Sequence, residues 1–149
     1  MDVYRISSEK YAKNLSASGA PNRWNRENQY VIYTASSRSL ATLEMVAHRN
    51  AIMGGLRYQM MVIRLPERKG FIKTLSLESL PKNWQTLKKF SLTQNYGSAW
   101  YLNLESVVLA VPSALIPQEF NFIVNTKHPD FSEVELVSAE KYDWDKRLL

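Results

Sequence analysis

The sequence predicts a compact single domain of the α+β class, in which a mixed β-sheet core is flanked by helices. The chain has 149 residues, enough for one domain that buries a working core without metals or crosslinks. Hydrophobic residues make up 45% of it and charged residues 22%, as in ordinary folded proteins. Its short apolar runs lie too close together for a strict alternation of strands and helices. We therefore expect residues 1–149 to form one domain.

Two strands and a long loop are predicted in the first part of the chain. Residues 3–7 have the pattern of a short strand, and residues 30–34 have the β-branched and aromatic content of a buried strand. Residues 16–28, between them, are rich in small and turn-forming residues, which indicates an extended loop. Trp24 lies in this loop, so we expect the loop to be packed against the domain.

An amphipathic helix is predicted over residues 39–50. Ser36 and Ser37 can cap its start, and Gly54 and Gly55 follow its end. Apolar residues recur at spacings of three and four, namely Leu40, Leu43, Ala47 and Ala51. This periodicity predicts that these four residues form the buried face.

The second half of the chain predicts further strands and two short helices. Residues 56–65 and 71–75 are strand candidates, and the Pro-Glu-Arg-Lys-Gly turn between them favours a hairpin. Helix-like pieces lie at residues 84–90 and 98–104, with Pro81 and Gly97 as breakers. Three apolar runs predict the remaining strands: 107–111, 122–124 and 134–137.

The composition limits the partners and the chemistry. Nineteen Lys and Arg against fourteen Asp and Glu leave a formal charge of +5, which favours anionic partners, although the basic residues are scattered and indicate solvated faces. The chain lacks Cys, which excludes disulfides, Cys-ligated zinc and thiol nucleophiles. Because no apolar run has the length of a secretory signal or a membrane span, we expect a cytoplasmic protein without membrane contact.

Four polar residues lie in or beside the ends of predicted elements: Arg23, Tyr33, Glu44 and Ser113. Each has an ordinary structural explanation when taken alone. Arg23 could be a solvated loop residue, Tyr33 a strand aromatic, and Ser113 a turn former after Pro112.

Glu44 is the most informative of the four on helical geometry. It lies one turn from both Leu40 and His48, so it should sit at the edge of the buried face. A carboxylate there is costly unless it is paired or used in function. His48 could hydrogen-bond Glu44, or it could be a packing residue.

Two separated blocks of sequence resemble the RES domain, a family named for an Arg, a Glu and a Ser. The first block comprises residues 23–25 (Arg-Trp-Asn), 31–36 (Val-Ile-Tyr-Thr-Ala-Ser) and 41–48 (Ala-Thr-Leu-Glu-Met-Val-Ala-His). The second comprises residues 111–113 (Val-Pro-Ser) and 121–131 (Asn-Phe-Ile-Val-Asn-Thr-Lys-His-Pro-Asp-Phe). Thr126-Lys127 stands where many members have one Pro, and the loop before Arg23 keeps only Gly19 of a Gly-rich segment. The resemblance covers essentially the whole chain.

The resemblance implies a fold similar to ADP-ribosyltransferase toxins, NAD⁺ as the substrate and an Xre-type antitoxin as the partner. It makes Arg23, Tyr33, Glu44 and Ser113 active-site residues, with Trp24, Asn25 and His48 as further NAD⁺ contacts. The expected reaction cleaves the nicotinamide–ribose bond, by hydrolysis or phosphorolysis, and so depletes NAD⁺ and arrests growth. The chain has no glycine-rich dinucleotide fingerprint, so NAD⁺ would be consumed and not used as a hydride carrier. No metal is expected, because the two His residues have no arranged carboxylate ligands.

Each residue type suits a part of this reaction. An ionised Glu44 can stabilise positive charge on the ribose and hold its 2′-hydroxyl. The planar fork of Arg23 suits the pyrophosphate or ribose oxygens. Tyr33 can stack on nicotinamide, and Ser113 can hydrogen-bond the carboxamide or the Arg and Glu side chains.

Other hypotheses remain open on the sequence. The same bond cleavage could deliver ADP-ribose to a protein or a nucleic acid, which would make the protein an ADP-ribosyltransferase. A non-enzymatic, basic nucleic-acid-binding module is a rival of another class, although a half-buried Glu44 would not help it. In the leading hypothesis, the protein contacts DNA only through the antitoxin. A homodimer is also possible, because aromatic residues such as Trp84 are expected to be exposed.

Overall fold

A computed structural model describes residues 1–48 and 52–149, in which a seven-stranded sheet is accompanied by two α-helices. The strands are β1 (Asp2–Ser8), β2 (Val31–Ala35), β3 (Tyr58–Arg64), β4 (Ile72–Thr74), β5 (Val108–Pro112), β6 (Phe120–Asn125) and β7 (Glu135–Tyr142). The helices are α1 (Arg38–Ala47) and α2 (Phe90–Leu102). β4 and β5 are parallel and all other neighbouring strands are antiparallel. The predicted α+β class with a mixed sheet is therefore confirmed.

The sheet has the strand order β4-β5-β6-β2-β1-β3-β7 and is nearly divided at its centre. β1 and β2 pair only where Tyr4 stands opposite Ala35. On either side of this contact the pairing is extensive, with five residue pairs between β2 and β6 and seven between β1 and β3. The strands β1 and β2 therefore leave an opening between them in the middle of the sheet.

The predicted hairpin of residues 56–65 and 71–75 is wrong, although both strands exist. β3 is paired on one edge with β1 and on the other with β7, so it has no free edge for β4. β4 instead lies parallel to β5 at the far side of the sheet. The turn between them is a crossover anchored by two buried side chains, Leu65 and Phe71.

A single helix, α2, replaces the two helical pieces predicted between residues 84 and 104. Gly97 lies inside this helix and does not break it. A Cβ at Gly97 would lie 1.7 Å from the main-chain oxygen of Trp24, so the missing side chain lets residues 16–28 pack directly on α2. This confirms the prediction of a packed loop.

Trp84 is buried, with 4% of its surface exposed, which corrects its description as an exposed aromatic. Its ring centroid lies 6.0 Å from that of Trp24, and Tyr96 packs edge-on against Trp24 from α2. Because this aromatic cluster is internal, Trp84 no longer supports a homodimer.

α1 begins as predicted but presents a different face to the domain. The Ser37 hydroxyl caps it by accepting from the Leu40 amide at 3.0 Å. Leu40 is buried as predicted, and so is Ala41, but Leu43 is 42% exposed and Ala47 is also exposed, so the predicted stripe is wrong at these two positions. The reason is that α1 packs on β1 and β2 through the face that also carries Glu44. The predicted helix end at Asn50 and the position of Ala51 lie outside the described residues.

The exposed basic groups are solvated, as predicted. Arg64 pairs with Asp2, and Arg68 pairs with Asp130 and Glu133, all on the surface. Within residues 1–48 and 52–149, neither helix is long and apolar enough to cross a membrane.

Candidate active site

A cavity of about 650 Å³ opens where β1 and β2 diverge, and we call it the cleft. Its volume is typical of a site for a small molecule. It is lined by residues of β1, β2, β6, α1, the start of α2 and the segments between elements: Tyr4, Arg5, Ile6, Asn22, Arg23, Trp24, Tyr33, Thr34, Ala35, Ala41, Glu44, Met45, Ala47, His48, Leu87, Phe90, Ala114, Leu115 and Asn121. Both signs of charge therefore meet in the cleft, because it contains two arginines and a glutamate.

Glu44 reaches the cleft from the inner face of α1 and is held there by Ser113. The Ser113 hydroxyl donates to Glu44 Oε1 at 3.0 Å. Ser113 is fully buried and accepts hydrogen bonds from the amides of Leu115 and Ile116 at 3.1 and 3.2 Å. Because its oxygen accepts both amides, the hydroxyl proton is directed to the carboxylate. Ser113 thus orients Glu44 from behind the cleft.

Arg23 enters the cleft from the loop that packs on α2. Its Nη1 donates to the main-chain oxygen of Gln85 at 2.9 Å, which uses one of five donors. The guanidinium carbon lies 5.9 Å from the ring centroid of Trp84 and 5.6 Å from that of Phe90, which holds the cation between two aromatic rings. Burial lowers the pKa of Arg23 and the Glu44 carboxylate raises it, so these opposite charges interact across the cleft.

Tyr33 ties the Arg23 loop to the sheet. Its hydroxyl donates to Asn25 Oδ1 at 2.6 Å and accepts from the Trp24 amide at 3.0 Å. Burial raises the pKa of Tyr33 above its ordinary value, so the phenol keeps the proton that it donates. Asn25 is fully buried and its amide nitrogen donates to the carbonyls of Ala20, Arg26 and Gln29.

We predict that Tyr33→Phe loosens this loop. The change leaves the Asn25 oxygen and the Trp24 amide without their partner, so the free energy of unfolding should fall by about 1–3 kcal/mol. Urea unfolding measures this loss, and Tyr11→Phe, at an exposed tyrosine, is the control that should change stability by less than about 0.5 kcal/mol. A Tyr33→Phe protein as stable as the parent would contradict the assigned role.

The structure places the sequence-predicted residues in two layers. Arg23, Tyr33 and Glu44 line the cleft together, as do Trp24 and His48. Two others, Ser113 and Asn25, are fully buried behind it. The His48 ring donates from Nδ1 to the main-chain oxygen of Glu44 at 2.9 Å, so its bond is not to the carboxylate.

Arg5 is a cleft residue that sequence reasoning missed. It projects from β1 into the central opening, and its Nη1 donates to the Tyr33 carbonyl at 3.0 Å. Burial lowers the pKa of Arg5. The only hint in the sequence was a positively charged residue inside the predicted strand 3–7. A solvent-facing Arg in a strand looks the same in the sequence. Arg5 gives the cleft a second cation beside Arg23.

Comparison with known proteins identifies relatives along the whole chain. The sequence model described as "RES domain" matches residues 2–145. A protein of Sphingobium sp. (strain YBL2) named "Prs ADP-ribosylating toxin" is 32% identical over 93% of this chain and 88% of its own length. A protein of Photorhabdus laumondii subsp. laumondii named "Toxin Res" is 31% identical over 100% of this chain and 97% of its own length.

The fold is also found in a solved structure. It is described as the crystal structure of the M. tuberculosis MbcT-MbcA toxin-antitoxin complex, and the matched chain superposes with a TM-score of 0.75. The alignment covers 95% of this chain and 83% of that chain, at 18% sequence identity. At this identity the likeness establishes the fold alone.

Proposed function

The chain belongs to the RES family, and from that premise we propose that it is the toxin of a toxin–antitoxin pair and that it cleaves the nicotinamide–ribose bond of NAD⁺. The observation that carries the proposal is the cleft, in which a carboxylate oriented by Ser113 and two guanidinium groups line the same cavity. A relative named as an ADP-ribosylating toxin supports NAD⁺ as the substrate. The proposed place of action is the cytoplasm.

Glu44 acts on the sugar in this proposal. The bond between ribose C1′ and the pyridinium nitrogen breaks, its electron pair stays with the nitrogen, and nicotinamide leaves as a neutral molecule. Positive charge develops on the ribose, as in glycoside cleavage. A fixed carboxylate stabilises this charge and can accept a hydrogen bond from the 2′-hydroxyl. Water then adds at C1′ to give ADP-ribose and a proton, or phosphate adds in its place.

The two arginines bind the other end of the substrate. Arg5 and Arg23 line the same cleft from different elements, so they can bind the pyrophosphate oxygens with several donors. The Tyr33 ring also lines the cleft and supplies an aromatic surface for nicotinamide. Asn25 and Ser113 position these groups and need not touch NAD⁺.

A second candidate is the transfer of ADP-ribose to a protein, and the name of the Sphingobium relative favours it. Both reactions share the bond-breaking step and differ in the nucleophile that reaches C1′. Incubating the purified protein with NAD⁺ labelled in the adenine, first alone and then with lysate, separates them. Release of free labelled ADP-ribose from NAD⁺ alone supports hydrolysis. Label found only on macromolecules rejects it, and intact NAD⁺ in both incubations rejects the proposed cleavage.

Arg23 is also the proposed contact for an Xre-family antitoxin that covers the cleft. An antitoxin carboxylate or C-terminus placed against this guanidinium would occupy the pyrophosphate position. Arg23→Ala should therefore weaken antitoxin binding by about tenfold or more, measured by calorimetry. Arg57→Ala, at an exposed arginine away from the cleft, should leave the affinity unchanged. Equal antitoxin affinity of the Arg23→Ala protein and the parent would reject this contact.

A further inference from the structure

The excess positive charge of the chain is concentrated in two segments. Residues 16–26 and 80–104 contain five Lys and Arg residues and no Asp or Glu. The rest of the chain contains fourteen basic and fourteen acidic residues. The formal charge of +5 therefore equals the charge of these two segments, which we call the basic wall.

The two segments form one continuous surface. Trp24 packs against Trp84, and Arg26 Nη2 donates to Asn95 Oδ1. Gln94 donates to the main-chain oxygen of Asn22 at 3.1 Å. Because these contacts run from the loop to α2, the charges of both segments act on the same neighbourhood and repel cations from it.

The basic wall also forms one side of the mouth of the cleft. Leu87 lines the cleft and is 87% exposed, and Lys88 and Lys89 follow it in a short 3-10 turn, Leu87–Lys89. Lys88 is exposed and Lys89 is half-buried. The hydrogen bond from Arg23 to the Gln85 carbonyl ties this turn to the site. A molecule seated on Leu87 therefore lies at the mouth of the cleft, on the side of Arg23.

The side chains of this rim fit an acidic protein segment better than a nucleic acid. Leu87 and Leu92 offer exposed aliphatic surface, and the lysines offer charges that attract carboxylates. An acidic segment with one or two apolar side chains can satisfy both features, as in other peptide-recognition surfaces. Single-stranded nucleic acids instead depend on aromatic side chains for base stacking.

We propose that the basic wall docks an acidic protein segment that receives ADP-ribose in the cleft. This inference rests on the proposed cleavage of NAD⁺. It specifies the class of acceptor for the reaction in which ADP-ribose is transferred to a protein. Nicotinamide leaves C1′ with the bonding electron pair, and an oxygen or nitrogen of the acceptor forms the new bond to C1′. The acceptor proton is released to solvent, so one NAD⁺ yields one modified acceptor, one nicotinamide and one proton.

The test uses two matched synthetic peptides with the same Leu, Ser and Arg residues. One carries four glutamates and the other carries glutamines at the same positions. With adenine-labelled NAD⁺ at low ionic strength, the acidic peptide should be labelled about tenfold faster than the neutral one. The K88E–K89E double variant should lose this preference, whereas nicotinamide release without peptide should stay within about twofold of the parent.

The matched control is the K69E–K146E double variant, which makes the same charge change at exposed lysines outside the basic wall. It should keep the preference for the acidic peptide. Equal labelling by the K88E–K89E protein and the parent, or faster labelling of a single-stranded RNA oligonucleotide, would overturn the docking surface. NAD⁺ consumption without labelling of either peptide overturns this inference alone. Intact NAD⁺ under all conditions overturns the proposed function as well.

Discussion

Replacing Glu44 with Gln should slow the release of nicotinamide from NAD⁺ by about 10²–10³-fold, because the variant removes a preorganised negative charge from the developing ribosyl cation. Gln is nearly isosteric with Glu and its side-chain oxygen can still accept the hydrogen bond from Ser113. The fold should therefore persist, and expression of the variant should no longer arrest growth. The rate of nicotinamide release and a growth curve after induction measure the two effects.

The control for this prediction is Glu78→Gln, at an exposed carboxylate that does not line the cleft. It should keep both NAD⁺ cleavage and growth arrest at the level of the parent. Unfolding curves of both variants show whether either change acts through stability. A folded Glu44→Gln protein that is as toxic and as active as the parent would refute the mechanism.

Replacing Gly97 with Ala should destabilise the protein by about 3 kcal/mol, although Ala is usually the better residue in a helix. The added methyl group would lie 1.7 Å from the main-chain oxygen of Trp24, and that backbone cannot move without moving the aromatic cluster. Separation of the loop from α2 would also displace Arg23, so the KM for NAD⁺ should rise. Urea unfolding and initial rates measure these effects.

Gly54→Ala is the matched control, because, apart from its chain neighbours, a Cβ there meets no atom of residues 1–48 and 52–149 within 4 Å. Its effect on the free energy of unfolding should remain below about 0.5 kcal/mol. A Gly97→Ala protein as stable as the parent would show that the Trp24 main chain does not pack closely against α2 at Gly97.

Local sequence patterns predicted where the strands lie in the chain better than they predicted which strands pair in the sheet. The apolar runs at residues 56–65 and 71–75 correspond to β3 and β4, but their predicted pairing is wrong. The edges of β3 are taken by β1 and β7, which come from the two ends of the chain, and a short turn carries no information about such distant competitors. The face of α1 was misassigned for a similar reason, because Leu43 is apolar but faces away from the sheet on which the helix packs.

The candidate site residues that lie in the family-like sequence blocks could be predicted. The contacts between residues far apart in the sequence could not. Arg23, Tyr33 and Glu44 come from the first block, and the structure brings them to one cleft. The bond between Ser113 and Glu44 joins residues 69 positions apart, so spacing alone could not distinguish orientation of Glu44 from contact with substrate. Arg5 was missed because its strand gives no sign of the central opening.

The single residue pair between β1 and β2 divides the domain into two half-sheets, one of four strands and one of three. Arg5 belongs to the three-stranded half, whereas the loop of Arg23 is bonded through Tyr33 to the four-stranded half. An anion bound by both arginines would therefore link the two half-sheets. Ligand binding should therefore make the whole domain more rigid. Without a ligand, the two half-sheets should move relative to each other more than they do with one bound.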